Sequence, residues 1–227
     1  MPNKSDHKVY RVGNYVNKGG FRQSWECADD DTKLLKFDGK TPRPPRKNRG
    51  LKRLRREFRN KLGLGTRHLS GNHDEIMGWR VLEDKGLAGH RYFTKVYGMV
   101  ETDRGPALMI ERITNFWNSD TKTIRQYLRK HKNIQNPELR EALTKYFDVL
   151  REHKLAAFAD RPENIAIVVD ENGKLYCKSF DVKPYYNHHL IPIYEIKLFK
   201  NIRTQRRLKR HLEILLDKNY AVGKGKL

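Results

Sequence analysis

A chain of 227 residues is long enough for one globular domain, or a compact two-lobed one, with a real buried core. Its 48 lysines and arginines against 27 acids leave a formal charge of +21, which favours polyanionic company: nucleic acid, an anionic membrane face or phosphate-bearing ligands. Well-represented aromatics speak against disorder, Cys27 and Cys177 lack the spacing of a disulfide or metal site, and neither a signal peptide nor an apolar run long enough to span a bilayer is visible, so the expected location is the cytoplasm.

From the N-terminus, Tyr10 to Val16 alternates loosely, Lys18-Gly19-Gly20 breaks the pattern, and Phe21 to Cys27 resumes it. A second break at Ala28 to Asp31 precedes Leu34-Leu35-Lys36-Phe37. Three short antiparallel strands are predicted, with a glycine turn first and an aspartate-rich turn second. Glycines at the first turn let backbone amides come close to a phosphate, although a plain hairpin turn reads the same way. Lys36 interrupts an apolar strand from its middle, so it either snorkels to solvent or faces a bound anion. The segment 39–50 reads as an exposed loop. Leu51, Leu54, Phe58 and Leu62 then form a narrow apolar stripe on a basic helix, either docked by that stripe or open to phosphates.

Asn72 is expected to cap a helix from about 74 to 85 that Gly86 closes. Ile76, Trp79, Val81 and Leu82 would be its apolar contacts, and Glu75 and Glu83 its charged candidates. Phe93 to Thr102 and Pro106 to Ile113 read as two more strands joined by Asp103-Arg104-Gly105, which completes a five-stranded antiparallel sheet. The period then becomes helical. Ser119 is expected to cap a helix through His131 with Ile124, Tyr127 and Leu128 inward, and Asn136-Pro137-Glu138 opens another whose face is Leu139, Leu143, Tyr146, Phe147 and Leu150.

After the loop Phe158 to Asn164 come an apolar run Ile165 to Val169, the turn signal Asn172-Gly173 and a returning run that ends at Asp181. This predicts a hairpin with the Asn164 amide and the Asp181 carboxylate at one end. Two hard oxygen donors there suit Mg²⁺ beside substrate phosphates, while an ordinary polar hairpin carries the same pattern. Beyond the irregular stretch 184–192, a basic helix from about 194 to 216 is expected to turn Phe199, Ile202, Leu208, Leu212 and Leu215 to the core.

A five-stranded lobe with a glycine turn, a strand lysine and a helix glutamate, followed by a helical lobe with an Asn and Asp hairpin, resembles the protein-kinase-like fold. The string Lys95-Val96-Tyr97-Gly98-Met99-Val100-Glu101-Thr102-Asp103-Arg104-Gly105, with Ser119 to Leu128 and the basic run Phe199 to Arg210, is similar more narrowly to the PhoP-regulatory-network YrbL family of small bacterial kinase-like proteins. Allowing for one insertion, the similarity covers most of the chain. It implies an α+β, two-lobed fold: an N-lobe at 1–113 with a basic insertion at about 39–71, and a small, mainly helical C-lobe at 114–227. It also implies that Gly19 and Gly20 lie over nucleotide phosphates, that Lys36 contacts the α- and β-phosphates, and that Asn164 and Asp181 are metal ligands. Glu111 to Ile113 would be a hinge that holds a purine through its backbone. The glutamate partner of Lys36 would be Glu75 or Glu57, with Glu75 preferred because Glu57 falls in the inserted segment.

The catalytic loop departs from that pattern. A kinase places its base Asp five positions before the metal-binding Asn, where this chain has Ala159, and Asp160 stands only four positions before Asn164. Either the loop is one residue tighter and Asp160 takes the base position, or the base is absent. Arg161, where a phosphate-contacting lysine usually stands, keeps a cation for a transferring γ-phosphoryl group. The expectation is therefore an ATP- and Mg²⁺-binding kinase-like protein, a small bacterial phosphotransferase whose acceptor the sequence does not name. The alternatives are a pseudokinase acting as a regulatory binding module, an AMP transferase, and a basic protein whose surface meets membrane headgroups or nucleic acid.

Overall fold

The structure, a computed structural model, describes residues 8–18, 22–39, 71–117, 119–155, 161–180 and 197–217. Gly19, Gly20, the basic helix expected at 51–62 with Glu57, Ala159, Asp160, Asp181 and the stretch 184–192 lie outside the described residues. The chain is α+β and divides into two compact units, one comprising 1–76 and 96–112, the other 77–95 and 113–227.

The first unit holds five strands: β1 (Val12–Lys18), β2 (Arg22–Cys27), β3 (Asp30–Asp38), β4 (Val96–Val100) and β5 (Ala107–Glu111). All pairings are antiparallel, in the order β1-β2-β3-β5-β4. Strand β5 has a neighbour on each side, and Ala107 to Ile110 are buried in succession; the edge strand β4 instead alternates, with Tyr97 and Met99 exposed. Gly98 has φ 106° where the β4–β5 register shifts, a backbone conformation that suits glycine at a bulge. Leu35 packs with Val12, Cys27, Ala107 and Met109, and Trp25 and Phe37 cover the edge of that cluster. Because side chains alternate along a strand, Lys36 between Leu35 and Phe37 points to the other face.

Helix α1 (Gly71–Glu83) contributes its first turns to the first unit and the rest to the second. Its end is built as expected: Gly86 takes φ 68°, its N–H donates to the Glu83 carbonyl, and the Leu87 N–H donates to the Leu82 carbonyl. Its start is not. Asn72 lies inside the helix, buried, and the capping acceptor is the Asp38 carboxylate from the end of β3, which takes the N–H groups of Gly71 and Asn72 at 3.0 and 3.3 Å. An acceptor supplied by the sheet has displaced the local one.

The second unit contains α2 (Ile124–His131), α3 (Pro137–Glu152) and α4 (Lys197–Leu216), with β6 (Lys122–Thr123), β7 (Ile165–Val169) and β8 (Leu175–Ser179) in a three-stranded antiparallel sheet. Ser119 is not the cap of α2. Lys122 and Thr123 pair with Ile167 and Ala166, so the helix starts only at Ile124, where Thr123 and Gln126 form a reciprocal capping box. Helix α3 begins as expected, with Asn136 Oδ1 accepting from the Leu139 N–H at 3.1 Å and Pro137 in the first turn. Its predicted face is buried throughout, joined by Ala142.

Helices α3 and α4 run side by side. Arg140 donates to the Leu216 carbonyl at the end of α4, and Gln205 donates to the Arg151 carbonyl near the end of α3. This contact fixes the rotation of α4. Leu208, Leu212 and Leu215 face inward as expected, together with Thr204 and His211, but Ile202 is 43% exposed. The side chain of Phe199 lies outside the described residues. On β8 the Cys177 thiol is fully buried, and burial pushes it up to about 12. A thiol reagent at pH 8 is therefore expected to modify Cys177 only as the protein unfolds, with a rate that rises with denaturant; prompt labelling of native protein would contradict this placement.

Candidate functional site

The sheet face opposite the first unit's apolar cluster carries a charged group built from two strands and one helix. The register sets Arg22 opposite Asp38 and Ser24 opposite Lys36, so Arg22, Lys36 and Asp38 share that face. Helix α1 lies against it and delivers Glu75. The Lys36 ammonium donates to Glu75 Oε1 at 2.7 Å, and the Arg22 guanidinium donates to Glu75 Oε2. Each oxygen of one carboxylate thus meets a different cation. Glu75 is 1% exposed and Lys36 6% exposed, so the contact is dry. A buried carboxylate is costly unless it is paired, and this one is paired twice.

Backbone contacts lock the same corner. Asn72 Nδ2 donates to the Lys36 carbonyl at 2.9 Å, and Arg22 donates to the Gly71 carbonyl at 3.2 Å. A Cβ on Gly71 would stand 2.7 Å from Arg22 Cδ, so the guanidinium stem passes where any other residue would carry its side chain. Lys36 consequently does not snorkel to solvent; it is paired with Glu75, and Glu57 lies outside the described residues. Arg22, Asp38 and Gly71 escaped notice in the sequence. Pairing β2 with β3 in the register Arg22 to Asp38 would have brought two of them to the face that carries Lys36.

Glu111 ends β5 opposite Lys33, half-buried. Next to it, the Arg112 N–H donates to the Thr32 carbonyl at 2.7 Å, so one backbone donor of the expected hinge is engaged in strand pairing. Burial, reinforced by the Glu111 carboxylate, holds the Tyr97 hydroxyl above its ordinary pKa.

Arg161 and Asn164 belong to the second unit. Arg161 is exposed with an extended backbone, and its carbonyl accepts from the Asn164 N–H at 2.8 Å to close a single 3-10 turn over Pro162 to Asn164. Buried Pro162 anchors the turn, and Glu163 extends toward Arg125 at 3.7 Å. Asn164 then enters the hairpin: its carbonyl accepts from the Phe180 N–H at 3.2 Å, and Ile165 pairs with Ser179. The hairpin turn is the expected one, with Gly173 at φ 75° and the Asp170 carboxylate accepting from the N–H groups of Asn172 and Lys174. Asp181 follows Phe180 in sequence, outside the described residues. No group of three or more metal-ligating His, Cys, Asp or Glu side chains occurs among the described residues.

No helix among the described residues is long and apolar enough to cross a membrane. Comparison with curated proteins finds no match. The family model described as PhoP regulatory network protein YrbL matches residues 14–219, nearly the whole chain with both units and the Lys36, Glu75 and Asn164 positions inside it, and the chain belongs to that family.

Proposed function

We propose that this chain is a nucleotide-binding protein of the protein-kinase-like, two-lobed class that takes ATP with Mg²⁺ and acts as a small phosphotransferase in the cytoplasm. The observation that carries this reading is the buried pair between Lys36 on a sheet strand and Glu75 on the facing helix, at 2.7 Å. Protein kinases need a strand lysine held by a helix glutamate in this way. In this role Lys36 addresses the α- and β-phosphates, Gly19 and Gly20 cover them, and the backbone near Glu111 holds the purine. Asn164 and Asp181 offer the hard oxygen donors that suit Mg²⁺, which when bound would neutralise phosphate charge. Arg161, exposed at the mouth of its turn, supplies a cation for the γ-phosphoryl group.

One observation favours a second reading. Ala159 occupies the position five before Asn164, and Asp160 is one residue out of register. Phosphoryl transfer rests mostly on positioning and charge neutralisation, so a missing base slows transfer without preventing nucleotide binding. A pseudokinase that binds nucleotide as a regulatory module, or an enzyme that transfers AMP, has the same binding site.

Thermal unfolding with ATP, with and without Mg²⁺, tests the shared part. At hundredfold excess over Kd, ATP is expected to stabilise the wild type by about 2.7 kcal/mol, with Lys36→Met and Asp181→Ala losing most of that gain. If the wild type is unmoved up to millimolar ATP, both readings fail. Label transferred from γ-labelled ATP alone indicates phosphotransfer, label from α-labelled ATP indicates AMP transfer, and binding with neither favours the pseudokinase.

A further inference from the structure

Three of the four described helices place charge as the helix dipole favours. Helix α1 has Asp74 in its first turn and Arg80 in its last, α3 has Glu138 and Arg151, and α2 ends on Arg129, Lys130 and His131. Helix α4 does the reverse. It has no acid in its first turn and no cation in its last, while seven lysines and arginines lie between Lys197 and Arg210 against a single acid, Glu213. The dipole acts within the first and last turns, and Arg206, Lys209 and Arg210 stand between them, so it does not account for their placing.

Packing then sorts the two sides of the helix. Thr204, Leu208, His211, Leu212 and Leu215 are buried, while Ile202, Arg206, Lys209, Arg210 and Glu213 are exposed. Arg206 lies four residues after Ile202, Lys209 and Arg210 three and four after Arg206, and Glu213 four after Lys209, which puts them on one face. Its one carboxylate, Glu213, stands 4.0 Å from Lys209 across an exposed pair, a contact that does little to neutralise the stripe.

We propose that this face of α4 docks on the phosphate backbone of nucleic acid without reading base sequence. Charge complementarity carries it: an exposed stripe of Arg206, Lys209 and Arg210, on a chain of net charge +21, meets a polyanion. An anionic bilayer would take an amphipathic helix by its apolar side. The apolar side of α4 is buried in the protein, and the exposed side offers Ile202 alone. The inference is independent of the nucleotide reading, which rests on residues elsewhere.

The test is fluorescence anisotropy on a labelled single-stranded RNA, and on a DNA duplex, of roughly 20 units, where phosphate contacts govern the salt dependence. The full chain is compared with Arg206→Gln/Lys209→Gln/Arg210→Gln and with a control of equal charge, Arg129→Gln/Lys130→Gln/Lys132→Gln, whose side chains are also exposed. The slope of log affinity against log salt is expected to flatten by about 2 on RNA and about 2.7 on the duplex in the α4 variant, with at least about tenfold weaker binding. The control is expected to retain the wild-type slope. Unchanged melting temperatures and an unchanged response to ATP would show that both variants are folded and that the two hypotheses are separate. The proposal is overturned if the control loses as much as the α4 variant, if the wild type ignores both nucleic acids at low salt, or if only phosphatidylserine vesicles bind in an Arg206-, Lys209- and Arg210-dependent way.

Discussion

Glu75→Ala is expected to lower the free energy of unfolding by about 3–5 kcal/mol, because it leaves two cations in a dry site with their shared carboxylate gone. Lys36 donates to one oxygen of Glu75 and Arg22 to the other, and the side chains of Glu75, Lys36 and Arg22 are 1%, 8% and 12% exposed. Water therefore cannot replace the lost partner without opening the helix from the sheet. Urea unfolding, read by far-ultraviolet circular dichroism, measures the loss. A companion variant separates charge from packing: Arg22→Met/Lys36→Met/Glu75→Leu removes the three charges of the two ion pairs and is expected to lose less than Glu75→Ala alone, since apolar side chains replace the Glu75 carboxylate together with both of its cations. Equal losses for the two variants would mean that the ion pairs contribute little beyond the space they fill. The Lys36→Met single variant keeps the Arg22–Glu75 contact, so it should remain folded enough for the ATP titration.

Phe147→Ala is the other large effect, expected at about 3–5 kcal/mol in the same assay. Its ring is fully buried on α3 and meets the Tyr146 ring edge-on at 5.7 Å; Tyr146 in turn meets Tyr92 at 6.1 Å. Removing the ring leaves a void among side chains that cannot all collapse into it, and the edge-on contact is lost as well. Ile202→Ala provides the contrast within the same unit. It removes a comparable apolar residue from a helix position first read as core, yet the side chain is exposed, so the change is expected to stay within about 0.5 kcal/mol. A loss of several kcal/mol at Ile202 would mean that α4 is rotated from the orientation described.

Those two residues also mark how far local pattern carries. The stripe on α3 was legible because a strong start signal, Asn136-Pro137, sets its phase, and the same is true of the hairpin around Gly173. On α4 the inward side of Leu208, Leu212 and Leu215 was legible as well, whereas Ile202, apolar but about a quarter-turn or more away from them, stands in water. The helix starts at Asn72 and Ser119 failed for a related reason. Each is a good local acceptor, but Asp38 reached α1 from the sheet, and pairing of Lys122-Thr123 with β7 moved the start of α2 to a capping box that the sequence also contains.

Of the candidate site, Lys36 was visible as a charge in the middle of an apolar strand, and Glu75 as a charge on the following helix. What joined them is a contact between residues 39 positions apart. By itself the sequence determined the five strands, the hairpin and the inner face of α3, because apolar strand runs, turn chemistry and helix period act over a few neighbouring residues. Only the tertiary structure decided that Arg22 shares the carboxylate of Glu75, that Asp38 caps α1, and that Ile202 on α4 remains in water. Each depends on strand register or helix rotation, and those are set by burial and pairing across the fold.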